Sequence, residues 1–178
     1  MKERKKRMHG WLLFAGEMLC VFLVLYIIQS VFFSWALVHG DSMNPTVKDK
    51  DVVIVSKMKK IYQRGDIVIC HSGKGVEGEL IKRVIGVPGD VIEIEGDTHR
   101  VLVNGKALEE TYLMEETWEL GDISYPARVP PGQYFVMGDN RNDSLDSRFS
   151  VIGTLPAENI EGRVQVRIFP FTRMKWFD

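Results

Sequence analysis

Leu80-Ile81-Lys82-Arg83-Val84-Ile85-Gly86-Val87-Pro88-Gly89-Asp90-Val91-Ile92-Glu93-Ile94 decides the fold class. Two runs rich in Val and Ile flank Val87-Pro88-Gly89-Asp90. β-branched side chains favour the pleated surface of a sheet, and Pro-Gly-Asp marks a turn between strands. The same grammar recurs on both sides. Val52-Val53-Ile54-Val55 and Asp66-Ile67-Val68-Ile69-Cys70 precede it, with Arg64-Gly65 as punctuation. Arg100-Val101-Leu102-Val103, Tyr134-Phe135-Val136-Met137 and Val164-Gln165-Val166-Arg167-Ile168 follow. Asn104-Gly105, between Val103 and Lys106, is a type I′ hairpin signal, because both central residues of that turn need positive φ. No long helical period and no internal repeat interrupts this pattern. The expectation is a mostly β body built on an antiparallel sheet, closed or partly closed like a barrel. Residues 109–128 are polar and carry Glu109, Glu110, Glu115, Glu116 and Glu119, so they read as an irregular excursion from the sheet.

The chain has 178 residues, 45% hydrophobic and 26% charged, with a formal net charge of −1. These values exclude a disordered chain and a strongly basic nucleic-acid binder, so no nucleic-acid partner is expected. Two cysteines cannot make a disulfide framework. The averages conceal an asymmetry. Lys2, Arg4, Lys5, Lys6 and Arg7 face one acid, Glu3, in the first ten residues. From Trp11 to Val38 every residue is apolar except Gly16, Glu17, Gln29, Ser30 and Ser34. Roughly 20 helical residues cross a bilayer core, so residues 11–38 are expected to form a membrane-spanning helix. The basic head precedes the span, and the positive-inside rule places residues 1–10 in the cytoplasm and residues 39–178 outside the cell membrane. A cleaved secretory signal is the alternative. Its apolar region is usually about 7–15 residues, much shorter than this one, so a retained anchor is expected. Glu17 receives no function.

Three blocks after the span carry chemistry. Asp41-Ser42-Met43-Asn44-Pro45-Thr46 places a serine four residues past Val38, within about 15 Å of the end of the expected span. Alone, Ser42 reads as a turn residue. Lys82 shares a strand face with Leu80 and Val84, because side chains alternate with period two. Aliphatic neighbours desolvate an ammonium group and lower its pKa, and a neutral amine can take a proton from a serine hydroxyl. The bland alternative is a lysine that reaches out to water. Gly138-Asp139-Asn140-Arg141-Asn142-Asp143-Ser144-Leu145-Asp146-Ser147-Arg148 follows an apolar strand. Its alternating acids and arginines point to a salt-bridge network that could support a neighbouring site.

Taken in order, Gly40-Asp41-Ser42-Met43-Asn44-Pro45-Thr46, Arg64-Gly65-Asp66-Ile67-Val68, Lys82 through Asp90, and Gly138-Asp139-Asn140-Arg141 through Asp146-Ser147-Arg148 resemble bacterial type I signal peptidase. The single anchor and short body look like the Gram-positive form. The resemblance implies the signal-peptidase fold, shared with self-cleaving repressors of the LexA type. It implies a Ser/Lys serine endopeptidase, without cofactor or metal, that removes signal peptides from exported preproteins. Ser42 would be the nucleophile, its backbone N–H an oxyanion donor, and Lys82 the general base. Some relatives carry a second donor, a serine, where this chain has Gly40. Ser144 matches a serine that orients the lysine, Asp146 and Arg148 match a supporting ion pair, and Asp139 and Arg141 belong to the same block. Signal peptides, membrane lipid and the secretion translocon would be its partners. Adjacency to the dyad makes Val38, His39, Gly40, Met43, Leu80 and Ile81 the expected walls of the substrate site, where an extended peptide would add as a strand.

Other readings compete. Cys70-His71 could be a thiol nucleophile and base, but neighbours on a strand face opposite sides. His9, His39, His71 and His99 show no metal-ligand spacing. An inactive membrane-tethered adaptor and a protease dedicated to one surface protein remain alongside the general signal-peptide enzyme.

Overall fold

In this computed structural model, residues 2–58, 61–72, 76 and 78–177 are described. Helix α1 (Lys2–Phe32) leads into strand β1 (Phe33–Leu37). The body continues with β2 (Val52–Ser56), β3 (Ile67–His71), β4 (Glu79–Gly86), β5 (Val91–Ile94), β6 (Val101–Val103) and β7 (Lys106–Ala107). It closes with β8 (Ala127–Arg128), β9 (Gln133–Met137), β10 (Leu155–Pro156), β11 (Ile160–Phe169) and β12 (Lys175–Trp176). Short 3-10 helices span Ala157–Asn159 and Phe171–Arg173. The fold is mostly β, as expected, and each described strand pair is antiparallel.

The larger sheet has the order β1-β2-β11-β3-β4-β9-β10, with β12 beside β11. The smaller has the order β7-β6-β5-β8. The β6–β7 hairpin turns at Asn104 and Gly105, with φ of 54° and 73°, as a type I′ turn requires. The acidic stretch from residue 109 leaves the sheet and rejoins it at β8, which pairs with β5.

Strand β3 is buried on both faces, which explains its unbroken apolar run. Ile67 and Ile69 pack with Val38, Met43, Val47, Val53, Val55, Ile81 and Val164 on one face. Val68 and Cys70 pack with Val84, Tyr134, Val136 and Leu155 on the other. A third cluster, including Ile85, Ile92, Val101 and Phe135, joins the two sheets. Each fully buried Val or Ile of this kind stabilises the fold by roughly 1.5–3 kcal/mol.

The apolar stretch expected as one helix over residues 11–38 divides in two. The helix ends at Phe32, and Phe33–Leu37 is an edge strand registered Phe33↔Ser56 through Leu37↔Val52 on β2. Apolarity alone cannot separate a helix from a strand. Here Ser34 and Ala36 are half-buried while Phe33, Trp35 and Leu37 are exposed, and the free edge of β2 supplies the backbone partners. The part of the helix long and apolar enough to cross a membrane is Phe14–Phe32, 19 residues with mean hydropathy 2.0.

Candidate active site

Ser42 sits in the loop that carries the chain from β1 to β2, and Lys82 sits in the middle of β4. They are distant in sequence, yet Lys82 Nζ is hydrogen-bonded to Ser42 Oγ at 2.7 Å. β4 is an interior strand, paired with β3 at Lys82↔Val68 and with β9 from Arg83 onward. The Lys82 side chain is covered on its face of the sheet and is 2% exposed, so it does not reach out to water. It registers opposite Val68, and the same face carries Cys70 and Val84. Burial pushes the Lys82 ammonium below its ordinary value. The Arg148 charge acts in the same direction, while Asp146 and Cys70 oppose it.

The loop from Gly138 to Arg148 is a network of buried ion pairs. Asp146 and Arg148 are joined by two hydrogen bonds of 2.8 Å, with both side chains fully buried. Asp146 also accepts the Gly138 N–H at 2.9 Å. Asp139 pairs with Arg83 through two bonds of 2.8 and 2.6 Å. Arg141 pairs with Glu110, donates to Thr117 Oγ1 at 2.9 Å and donates to the Gly138 carbonyl at 3.1 Å. The Asn140 N–H donates to the Ser42 carbonyl at 3.0 Å, so the loop touches the backbone of Ser42. Ser144 Oγ is buried and has no hydrogen-bond partner among the described residues.

Arg83, Glu110 and Thr117 escaped the sequence reading. Arg83 adjoins Lys82, and period two turns it to the opposite face, toward Asp139. Nothing local marks Glu110 among its acidic neighbours.

A groove of about 460 Å³ opens beside the dyad. Val38, His39, Leu80 and Ile81 line it together with Ala36, Leu37, Ile69, Gly78 and Glu79. Gly40 and Met43, expected as walls, do not. Met43 points inward and is 1% exposed in the core, and the exposed Gly40 donates its N–H to Asp49 Oδ1 at 3.1 Å. Adjacency in sequence misled there because the loop turns, alternating what it shows to the groove and to the core.

A family model described as signal peptidase, peptidase S26, matches residues 11–169. The chain belongs to the signal peptidase family, peptidase S26. Signal peptidase I U of Bacillus subtilis (strain 168) is 37% identical over 161 residues, covering 85% of this chain and 84% of that protein. Signal peptidase I T of the same strain is 35% identical over 185 residues, covering 98% and 93%. A crystal structure of a signal peptidase I from Enterococcus faecalis superposes with a TM-score of 0.48 at 30% identity, covering 57% of this chain and 95% of that one. As a member of this family, the chain is a serine endopeptidase.

In this signal peptidase the thiol reading fails on geometry. Cys70 is fully buried, its Sγ 3.6 Å from the Leu80 carbonyl, and burial pushes its thiol up to about 12. His71, the next residue, is exposed. The fold also does what spacing could not show, bringing His71, Glu79 and Glu161 ligand atoms within 4.8 Å of one another. Lys57 pairs with Glu161 there at 2.8 Å.

Proposed function

We propose that this chain removes N-terminal signal peptides from exported preproteins, with Ser42 as nucleophile and Lys82 as general base. The 2.7 Å contact between a buried lysine and a serine hydroxyl carries this reading. When the amine is neutral, Ser42 Oγ–H donates to Lys82 Nζ. As Oγ attacks the scissile carbonyl carbon, the proton passes to Nζ. The Ser42 N–H, which has no hydrogen bond among the described residues, supports the developing oxyanion. Collapse of the tetrahedral intermediate breaks the C–N bond, and the Lys82 ammonium returns its proton to the leaving amine. An acyl-serine ester remains. Water then attacks it, giving one proton to Lys82, which returns it to Ser42 Oγ as the ester bond breaks, and the signal peptide leaves as an acid that ionises in solvent.

The substrate enters as an extended segment along the groove, between the end of β1 and the start of β4. Val38, His39, Leu80 and Ile81 face it. Ser144 acts on the dyad by orienting Lys82. That role follows from the motif match, since in this structure its hydroxyl lies buried beside Gly138 and is hydrogen-bonded to none of the described residues. Asp139, Arg141, Asp146 and Arg148 hold the loop and take no part in bond making.

The basic head lies in the cytoplasm and the β body outside. Phe33, Trp35 and Leu37 are exposed on β1 directly after the helix, and Phe171 and Trp176 are exposed near the C-terminus. These side chains rest on membrane lipid, which sets the dyad near the depth at which a signal helix leaves the bilayer. Preproteins reach it there from the secretion translocon.

Purified full-length enzyme incubated with a panel of unrelated preproteins tests the activity. Cuts at the end of several signal segments, absent in Ser42→Ala, support the general enzyme. Cuts in one substrate restrict it to a dedicated role, and no cuts support the inactive adaptor. Protease added to wall-stripped cells should digest residues 39–178, and their protection overturns the topology.

A further inference from the structure

Ser42 and Lys82 are fixed by different means. Lys82 is held within a sheet, whereas Ser42 rides on a loop, residues 38–51, that lacks strand pairing of its own. The base of that loop is closed by Val38 N–H donating to the Asp51 carbonyl and Lys50 N–H to the Val38 carbonyl, each at 2.8 Å. Its far side is held from behind by charges that the dyad does not use. Asp51 is 0% exposed. Its carboxylate accepts the Lys48 N–H at 2.9 Å, Arg167 Nη1 at 3.2 Å and Arg173 Nη2 at 2.7 Å. Arg167 Nη1 also donates to the Thr46 carbonyl at 2.7 Å, and its Nε to the Arg173 carbonyl at 2.7 Å.

We infer that Asp51, Arg167 and Arg173 form a clasp that positions Ser42 against Lys82, making the segment after β11 part of the catalytic apparatus. Arg167 belongs to β11, held between β2 and β3 in the large sheet, and reaches the loop at Thr46, four residues past Ser42. Arg173 comes from the 3-10 turn beyond β11. That segment is itself tied back to the sheet, since Phe177 N–H donates to the Gln165 carbonyl and Arg163 to the Phe177 carbonyl, both at 2.8 Å. Met43 and Val47, buried in the core, leave the loop only a small range of positions once Thr46 and Asp51 are held. The three are positioning residues, since none touches substrate or the reacting atoms.

Arg173→Gln is the primary test, because the Arg173 side chain is 37% exposed and Asp51 keeps Arg167 when it goes. Asp51→Asn, of the same shape, is the second variant. Full-length enzyme in detergent is assayed on a preprotein well below its melting temperature, with turnover expressed per folded molecule. A displacement of the nucleophile should lower kcat roughly tenfold while KM stays within about twofold. Acylation of Ser42 by a small serine-directed electrophile should slow by the same factor. The midpoint of the pH–rate profile should stay in place, because the burial of Lys82 and the charges of Asp146 and Arg148 that act on it are not altered by either substitution. Wild-type kcat and acylation rate in the folded variants, with only the melting temperature lowered, would overturn the clasp. The inference rests on Ser42 as nucleophile, and that reading fails separately if Ser42→Ala still cleaves.

Discussion

Gly138 passes so close to Ser42 that a Cβ added to it would lie 2.4 Å from the Ser42 carbonyl oxygen. The same atom would lie 2.2 Å from Ser144 Oγ. The first neighbour is backbone and cannot swing aside. Gly138 is therefore where the loop of ion pairs and the Ser42 loop come together, and only a missing side chain permits it. Gly138→Ala should push the Ser42 loop away from Lys82 and lower kcat/KM by about 100-fold. Steady-state cleavage of a preprotein checks this, and near-normal turnover would mean that the two loops are not coupled.

Activity should rise with pH through the pKa of Lys82, since only the neutral amine can accept the Ser42 proton. Burial has already lowered that pKa, so the rise should come below the range of a free lysine. Lys82→Arg should be inactive, because a guanidinium does not deprotonate in this range. A kcat/KM profile for the wild type, with single-turnover cleavage for the variant, measures both. Substantial cleavage by Lys82→Arg would shift attention to His39, the histidine in the groove.

The same burial makes Lys82 a burden on stability. In the unfolded chain it titrates near 10.5, and in the folded chain lower. Between those two values the unfolded state binds the extra proton, so stability rises with pH across the window. The penalty is absent above the unfolded value and complete below the folded one. Lys82→Met should therefore be inactive yet more stable at neutral pH, by about 2–6 °C in Tm, with the difference from wild type shrinking at alkaline pH. Thermal melts of both proteins across pH read this directly. A variant that melts lower than wild type at neutral pH contradicts it.

Asp146 and Arg148 hold each other where neither is exposed. Arg148→Ala leaves a buried carboxylate without its partner, at a cost of roughly 3–5 kcal/mol. Stability and cleavage should fall together, because Asp146 also anchors the Gly138 N–H. The pair Asp146→Leu with Arg148→Met should be less damaging than Arg148→Ala, since it leaves no lone charge. Urea denaturation of the two proteins gives the comparison. A full-stability Arg148→Ala that cleaves nothing would assign Arg148 a direct catalytic role.

Strands were legible in the sequence wherever local chemistry was sufficient. Val91–Ile94 was read at its observed bounds, and Asn104-Gly105 marked its hairpin because two positive φ values can be read from two residues. The end of the helix was not legible. Phe33-Ser34-Trp35-Ala36-Leu37 is as apolar as the span before it, and it becomes a strand only because β2, some twenty residues later, offers an open edge. Ser42 alone reads as a turn residue and Lys82 alone as a strand lysine, and only the order of the motif blocks that carry them singles out the two. Their contact was beyond the sequence.

What the sequence determined by itself is what lies within a few residues: the apolar segment behind a basic head, the alternation of strands and turns, and the motif blocks in their order. Backbone propensity, side-chain period and charge are local properties, so a local reading recovers them. The tertiary structure decided who faces whom. It gave Asp139 to Arg83, Arg141 to Glu110 and Asp51 to Arg173, turned Met43 inward, and set Lys82 against Ser42. Those pairings depend on strand register and on the closure of long loops, and each is set by the summed packing of the whole sheet, which no short window of sequence contains.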